Sequence, residues 1–170
     1  MTDFTRWRMF VGSAALAAIL LAASGSPPAR AVESYKALEP LLVDLPGWQG
    51  ETPQGTSIDS GGQTMIQVTR RYTKNDGELT VLVNYGSKMT STALGSNANI
   101  DTDDMRMAVD QIDGYKMFIT FAKKDKTGSI AVALTPHAML NIQFAKLGYE
   151  DAVEIARRFD LKELASKLAD

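Results

Sequence analysis

The chain has 170 residues, no cysteine and a formal charge of −2, and this length suits one domain with a real core better than two. A weakly acidic chain is a poor match for a polyanion, so nucleic acid is excluded as a partner. The absence of cysteine excludes disulfides and a lipid anchor on cysteine. No phosphate loop or zinc-type ligand spacing is present, and no cofactor is predicted.

The N-terminus has the three parts of a secretory signal peptide. Arg6 and Arg8 precede the apolar run Met9–Ala23, and Ala29-Arg30-Ala31 forms a cleavage site. The run is short for a membrane span, which takes roughly twenty residues; an uncleaved anchor is the alternative. We predict cleavage after Ala31, which removes three basic residues and one acidic residue and leaves a single domain over 32–170 with a charge of about −4. The product is predicted to be periplasmic or secreted, without a stable membrane span.

Helical spacing and turn signals divide the rest of the chain. Leucines at helical spacing predict an opening helix over Ser34–Leu45, which Pro40 begins or splits. The turns Asp76-Gly77 and Asp113-Gly114 each separate two strand-like runs, which is typical of hairpins. Six antiparallel strands are predicted: Thr64–Thr73, Leu79–Tyr85, Met105–Ile112, Tyr115–Phe121, Ser129–Thr135 and Ala138–Phe144.

The chain is predicted to end in helix. From Tyr149 onward apolar residues recur at helical spacing, and Phe159 lies on this apolar stripe. Asp160 and Glu163 have the spacing of a capping box, at a point where the helix bends or restarts. The predicted fold class is therefore α+β, an antiparallel sheet of about six strands with N- and C-terminal helices packed on it.

The opening of the predicted domain resembles a group of uncharacterised exported bacterial proteins. In these proteins the phrase L-P-G-W, here Leu45–Trp48, precedes a glycine-rich turn and a strand with the phrase R-x-Y, here Arg70 and Tyr72. The order of elements is also similar to the PsbP-like fold of the photosystem II extrinsic proteins and their bacterial relatives. This resemblance implies a PsbP-like α/β sandwich, and it brings no catalytic residues with it.

Asp59-Ser60-Gly61-Gly62 looks like the nucleophile loop of a chymotrypsin-like protease. In that family the histidine and aspartate precede the serine, whereas the only histidine here, His137, follows Ser60. A serine nucleophile also needs a positioned base. Glycines before an alternating strand are typical of a turn, and we interpret the stretch as a turn.

The segment Asn97–Asp104 alternates oxygen-bearing side chains in the manner of a calcium loop. An EF-hand loop needs glycine at its sixth position and glutamate at its twelfth. A loop that starts at Asn99 has Asp104 and Asp110 there instead. A solvated acidic loop is the preferred interpretation, with weak binding of a divalent cation as the alternative.

A third candidate site combines methionine with the lone histidine. Thioether and imidazole groups suit Cu(I), and strand parity places Met105 with Met107, and His137 with Met139, on common faces. Methionine is also an adaptable filler of hydrophobic cores, and packing is the preferred interpretation. Met117, in a run rich in aromatic residues, is expected to be core.

Trp48 and the long segment Gly86–Asn99 suggest a binding surface. Loops of that length between strands are commonly functional or disordered. Trp48 is the candidate ligand-binding residue, and an anchor in the core or at its rim is the preferred interpretation of this side chain. The sequence favours a non-enzymatic binding or accessory module of the bacterial cell envelope, with an unknown protein or small molecule as its partner. Two alternatives are a copper-binding protein and a hydrolase whose Ser/Lys or carboxylate site is assembled in space.

Overall fold

Nine antiparallel strands form one sheet in the part of the chain that the structure describes. The structure is a computed structural model that describes residues 34–60, 63–86 and 99–169; the predicted leader and residues 87–98 lie outside these ranges. The strands are β1 (Gln49–Gly50), β2 (Gln54–Ser60), β3 (Gln63–Lys74), β4 (Gly77–Tyr85), β5 (Ile100–Asp101), β6 (Met105–Ile112), β7 (Tyr115–Ala122), β8 (Thr127–Thr135) and β9 (Ala138–Ala145). They lie in the order β1-β3-β4-β9-β8-β7-β6-β5, and β2 pairs with β3 as well.

Tight turns join the neighbouring strands. β3 and β4 pair from Lys74 opposite Gly77, and Asn75 between them has a φ of 54°. Asp113 and Gly114, with φ values of 50° and 84°, join β6 to β7. Two positive φ values in a two-residue loop are the requirement of the hairpin turn that matches strand twist. The β6–β7 turn meets this requirement, whereas the β3–β4 turn has one positive φ at Asn75. The antiparallel pairing on both sides of each turn confirms both predicted hairpins.

Within residues 34–60, 63–86 and 99–169, three short helices contact one face of the sheet. They are α1 (Tyr35–Leu38), which continues into a 3-10 turn over Glu39–Leu41, α2 (Tyr149–Ala156) and α3 (Leu161–Lys167). α1 contacts β2 and β3, while α2 and α3 contact β8. The predicted cap is present, since the Asp160 carboxylate accepts a hydrogen bond of 2.8 Å from the backbone N–H of Glu163. None of the helices in the described ranges is long and apolar enough to cross a membrane.

The hydrophobic core lies between this face of the sheet and the helices. Strand alternation places every second residue in the core, so that Leu79, Val81 and Val83 of β4 are all buried. Phe159, between α2 and α3, is 2% exposed, and Met117 of β7 is also 2% exposed. The expected burial of both side chains is confirmed.

The predicted fold class is wrong. In its described ranges the protein is mainly a nine-stranded antiparallel sheet, not a six-stranded α+β sandwich with N- and C-terminal helices packed on it. The extra strands β1, β2 and β5 are exposed along almost their whole length, so they lack the apolar alternation that predicts a strand. The opening helix is a single turn of α-helix, because Pro40 lies in the 3-10 turn that follows it.

Candidate functional site

Trp48 is held beside the end of β3 by a tight turn and a short strand. Gly47 has a φ of 76°, and the N–H of Trp48 donates a hydrogen bond of 3.0 Å to the carbonyl of Leu45. The next two residues form β1 and pair with Thr73 and Tyr72 of β3. The half-buried indole packs against the core and lies 3.5 Å from the point where a Cβ on Gly77 would be.

Arg70 ties this N-terminal segment to β3. Its side chain is only 12% exposed, donates a hydrogen bond of 2.8 Å to the carbonyl of Glu51, and also reaches the carbonyl of Leu42 and the carboxylate of Asp44. A Cβ at position 50 would lie 2.7 Å from the guanidinium, which explains the glycine there. The residues on both sides of Trp48 are therefore fastened to one arginine.

Tyr72, on the same side of the sheet, also connects β3 to the N-terminal segment by a hydrogen bond. It is 1% exposed, and its hydroxyl donates a hydrogen bond of 2.8 Å to the carbonyl of Val43. Burial raises the pKa of Tyr72 to about 12, although the Arg70 guanidinium 5.0 Å from the ring centre opposes the change. Arg70 and Tyr72, the two named residues of the R-x-Y phrase, thus hold the segment that carries L-P-G-W.

A cleft of about 380 Å³ opens beside Trp48. Its walls come from the Trp48 turn, the β3–β4 turn, the connection from β9 to α2, and α2 with the residues after it. The lining residues are Leu45, Pro46, Trp48, Lys74, Asn75, Asp76, Gly77, Lys146, Leu147, Asp151, Glu154, Ile155 and Arg158. We call this space the Trp48 cleft. An indole and aliphatic side chains among convergent charged groups are what a binding site for an amphiphilic ligand requires.

Most charged groups of the Trp48 cleft have no ion-pair partner in the described part of the chain. Among the described residues, no carboxylate lies within 4.0 Å of the cationic groups of Lys74, Lys146 or Arg158. The Lys74 ammonium lies over Gly47, 3.5 Å from where a Cβ would be. Of the acidic residues, Glu154 has a weak pair with Arg157 at 3.8 Å. Three cations from three separate segments thus remain open to a ligand.

Among the described residues, the only histidine does not lie beside Ser60. Ser60 is the exposed last residue of β2 and pairs with Gln63 of β3; Gly61 and Gly62 of the interpreted turn lie outside the described residues. His137 lies in the turn before β9, and β3 and β4 separate β9 from β2. Three strand spacings amount to about 14 Å. The two side chains cannot act together in one copy of the protein.

The four candidate copper ligands are spread over one sheet face and a turn. Met105 and Met107 lie on β6, whereas Met139 lies on β9, and two strands intervene. The strand spacing gives about 14 Å across the sheet, and the register adds roughly 13 Å along it between Met107 and Met139. His137, half-buried, lies beyond Met139 in the β8–β9 turn. The structure does not bring these residues together within one copy.

The described part of the acidic segment Asn97–Asp104 forms ion pairs and turn hydrogen bonds. Asn99 accepts a hydrogen bond of 2.8 Å from the N–H of Val109, and Asp101 and Asp104 each lie 2.5 Å from a lysine ammonium. The hydrogen bond from Lys123 lowers the pKa of Asp101. In the described ranges, no group of three or more acidic or histidine side chains could hold a metal ion.

Sequence reasoning identified Trp48 but not its neighbours. Lys74 and Asp76 belong to a hairpin turn that the sequence did predict, and Arg158 follows a helix that it also predicted. No local pattern, however, shows that the β3–β4 turn, the residues after α2 and residue 146 meet at Trp48. The turn Leu45–Trp48 was the available signal in the sequence. It contains apolar residues, and apolar residues in a turn indicate that the turn packs against another part of the protein.

Comparisons with known proteins found no relative of this chain. No protein-family model, curated protein or solved structure matches the chain. The resemblance to PsbP-like proteins therefore stays a prediction, and the case for function rests on the Trp48 cleft.

Proposed function

We propose that this protein is an exported, non-enzymatic binding module of the bacterial cell envelope, and that the Trp48 cleft holds its ligand. The observation that carries the proposal is the meeting of a half-buried indole with three cationic side chains from separate segments, none of which has a carboxylate partner among the described residues. Export rests on the predicted leader over 1–31.

The chemistry of the cleft favours a peptide segment or a similar amphiphile. Trp48, Leu147 and Ile155 supply apolar contact, while Lys74, Lys146 and Arg158 can bind carboxylates. Asp76 and Asp151 offer acceptors for a cationic group on the same ligand. A ligand with an apolar side chain between groups of opposite charge would satisfy both sets.

Retention of peptides by the immobilised protein tests the proposal. The probe is a tryptic digest of cell-envelope proteins from the expressing host, and the retained peptides are counted by mass spectrometry. We expect retention by the wild-type protein and a loss of roughly tenfold for Arg158→Gln, because a hydrogen bond from a charged group contributes about 1.5–3 kcal/mol. Lys146→Gln should weaken retention in the same way.

Lys162→Gln is the matched control, since Lys162 is exposed on α3 and does not line the cleft. Its retention should equal that of the wild type. Circular dichroism checks that each variant is folded. Equal retention by wild type, Arg158→Gln and Lys146→Gln would contradict the proposal, as would the absence of any retained peptide.

A further inference from the structure

β2 presents a long strand edge with no partner strand among the residues that the structure describes. It pairs with β3 over seven residues, Gln54–Ser60, and no backbone hydrogen bond from another described residue reaches its other side. In an antiparallel strand about half of the N–H and C=O groups point away from a single neighbour. Such an edge is a template for pairing with another strand.

The two edges of the sheet differ in their protection. At the opposite edge, the two-residue β5 pairs with Arg106 and Met107 of β6, and its Asp101 forms an ion pair with Lys123. The rest of this edge is β6 itself, which carries the charged residue Asp110 and whose Val109 N–H already donates to the Asn99 side chain. Short length and charge are devices that block edge pairing. β2 contains no lysine, arginine or proline, and its one charged residue, Asp59, accepts a hydrogen bond of 2.6 Å from the Thr64 hydroxyl.

An exposed apolar pair lies directly beside this edge. Ile58 of β2 and Met65 of β3 are opposite each other and are 50% and 44% exposed. They border a groove of about 300 Å³ that also includes Thr56, Gln67, Asn84 and Tyr85 among its lining residues. The edge therefore offers apolar surface as well as backbone groups.

We infer that β2 pairs antiparallel with β2 of a second copy, around a two-fold axis at Ser57. This register pairs all seven residues and places Gly55 opposite Asp59, so that no two like charges face each other. An axis at Asp59 would place two carboxylates together, which is destabilising. Around Ser57 the two Ile58 side chains are diagonal neighbours at about 7–8 Å, within reach of each other.

The pairing is self-complementary, as a two-fold dimer requires. Each Ile58 lies opposite Thr56 of the other copy, at the border of the groove beside Met65. An interface of one strand pair is small by the standard of stable complexes, which bury about 1,200–2,000 Å². The dimer is therefore expected to dissociate on dilution.

Sedimentation equilibrium over a range of concentrations tests the dimer, with the full-length gene product as processed by the host cell. We expect the mass to rise from one copy to two with concentration for the wild type. Ile58→Lys should remain a single copy, because a lysine on the edge opposes pairing. Ile100→Lys is the matched control: Ile100 is 40% exposed on the opposite edge, and this variant should dimerise like the wild type.

A single added cysteine tests the register, because the chain has none of its own. Ser57→Cys should form a disulfide between copies under mild oxidation, since residues opposite each other have Cα atoms about 4.5–5.5 Å apart, within disulfide range. Asp59→Cys should not, because this register offsets the two cysteines by four residues, or about 13 Å along the strand.

Three results would overturn the inference. They are a wild type that stays a single copy at every concentration, a dimer that Ile58→Lys leaves intact, and equal cross-linking of the two cysteine variants. A foreign strand as the true occupant of the edge would give the first of these results. Thermal melting of Ile58→Lys and Ile100→Lys confirms that both variants are folded.

Discussion

Arg70 shows how a single residue can determine where another residue lies. Its guanidinium bonds to groups on both sides of Trp48, through the carbonyls of Leu42 and Glu51 and the carboxylate of Asp44. The next residue, Arg71, points to the other side of β3 and is exposed. Two adjacent arginines thus have different roles, because strand alternation sends them to opposite faces.

Replacing each arginine by alanine separates these roles. Arg70→Ala should lower the free energy of unfolding by about 2–3 kcal/mol, because the charged hydrogen bonds of a largely buried side chain are lost. Arg71→Ala should change it by no more than about 0.5 kcal/mol, as is usual at exposed positions. Urea unfolding measures both values. Equal effects of the two substitutions would show that Arg70 does not tie the Trp48 segment to β3.

At the scale of the element, the methionines differ by strand face. Met117 points toward the helices and is 2% exposed, whereas Met105 lies on the other face and is 39% exposed. Both methionines lie in one hairpin, Met105 on β6 and Met117 on β7. Their contributions to stability should therefore follow their burial.

Met117→Ala should lower the free energy of unfolding by about 2–5 kcal/mol, because it removes packed atoms from the core. Met105→Ala should have an effect within about 0.5 kcal/mol. Urea melts of the two variants, with far-UV circular dichroism as a check of the fold, make the comparison. A similar loss for both would mean that the face of Met105 is also packed against something.

Most of the strands that the sequence predicted bury one face; β6, with Ile112 as its one buried residue, is the exception. β4 and β9 alternate between buried and partly exposed residues, and this is the pattern from which a strand is predicted. β2 has no such alternation; it forms because β3 is 12 residues long and offers backbone groups along its whole length. A strand that is stabilised mainly by backbone pairing does not need alternating apolar and polar residues, so the sequence does not predict it. For that reason the predicted fold class had too few strands.

At the scale of the whole molecule, the sheet order brings distant parts of the chain to one place. The end of β3, the start of β4 and the end of β9 are neighbours, so residues 48, 74–77 and 146–158 meet at one end of the sheet. The sequence identified Trp48 as a candidate through its chemistry. It could not identify Lys146 or Arg158, because their role depends on the neighbours of β4, which local patterns do not reveal.

The chemical shifts of the backbone amides and of the Trp48 indole N–H, recorded with and without the retained peptides, test the central claim most directly. The Trp48 cleft predicts changes at the indole, at 74–77 and at 146–148, with little change on β6. Trp48 is one of two tryptophans in the chain, and the other, Trp7, belongs to the predicted leader, so the indole signal is simple to assign. Changes confined to β2 or to β6, with the indole signal unmoved, would contradict the claim that this cleft is the ligand site.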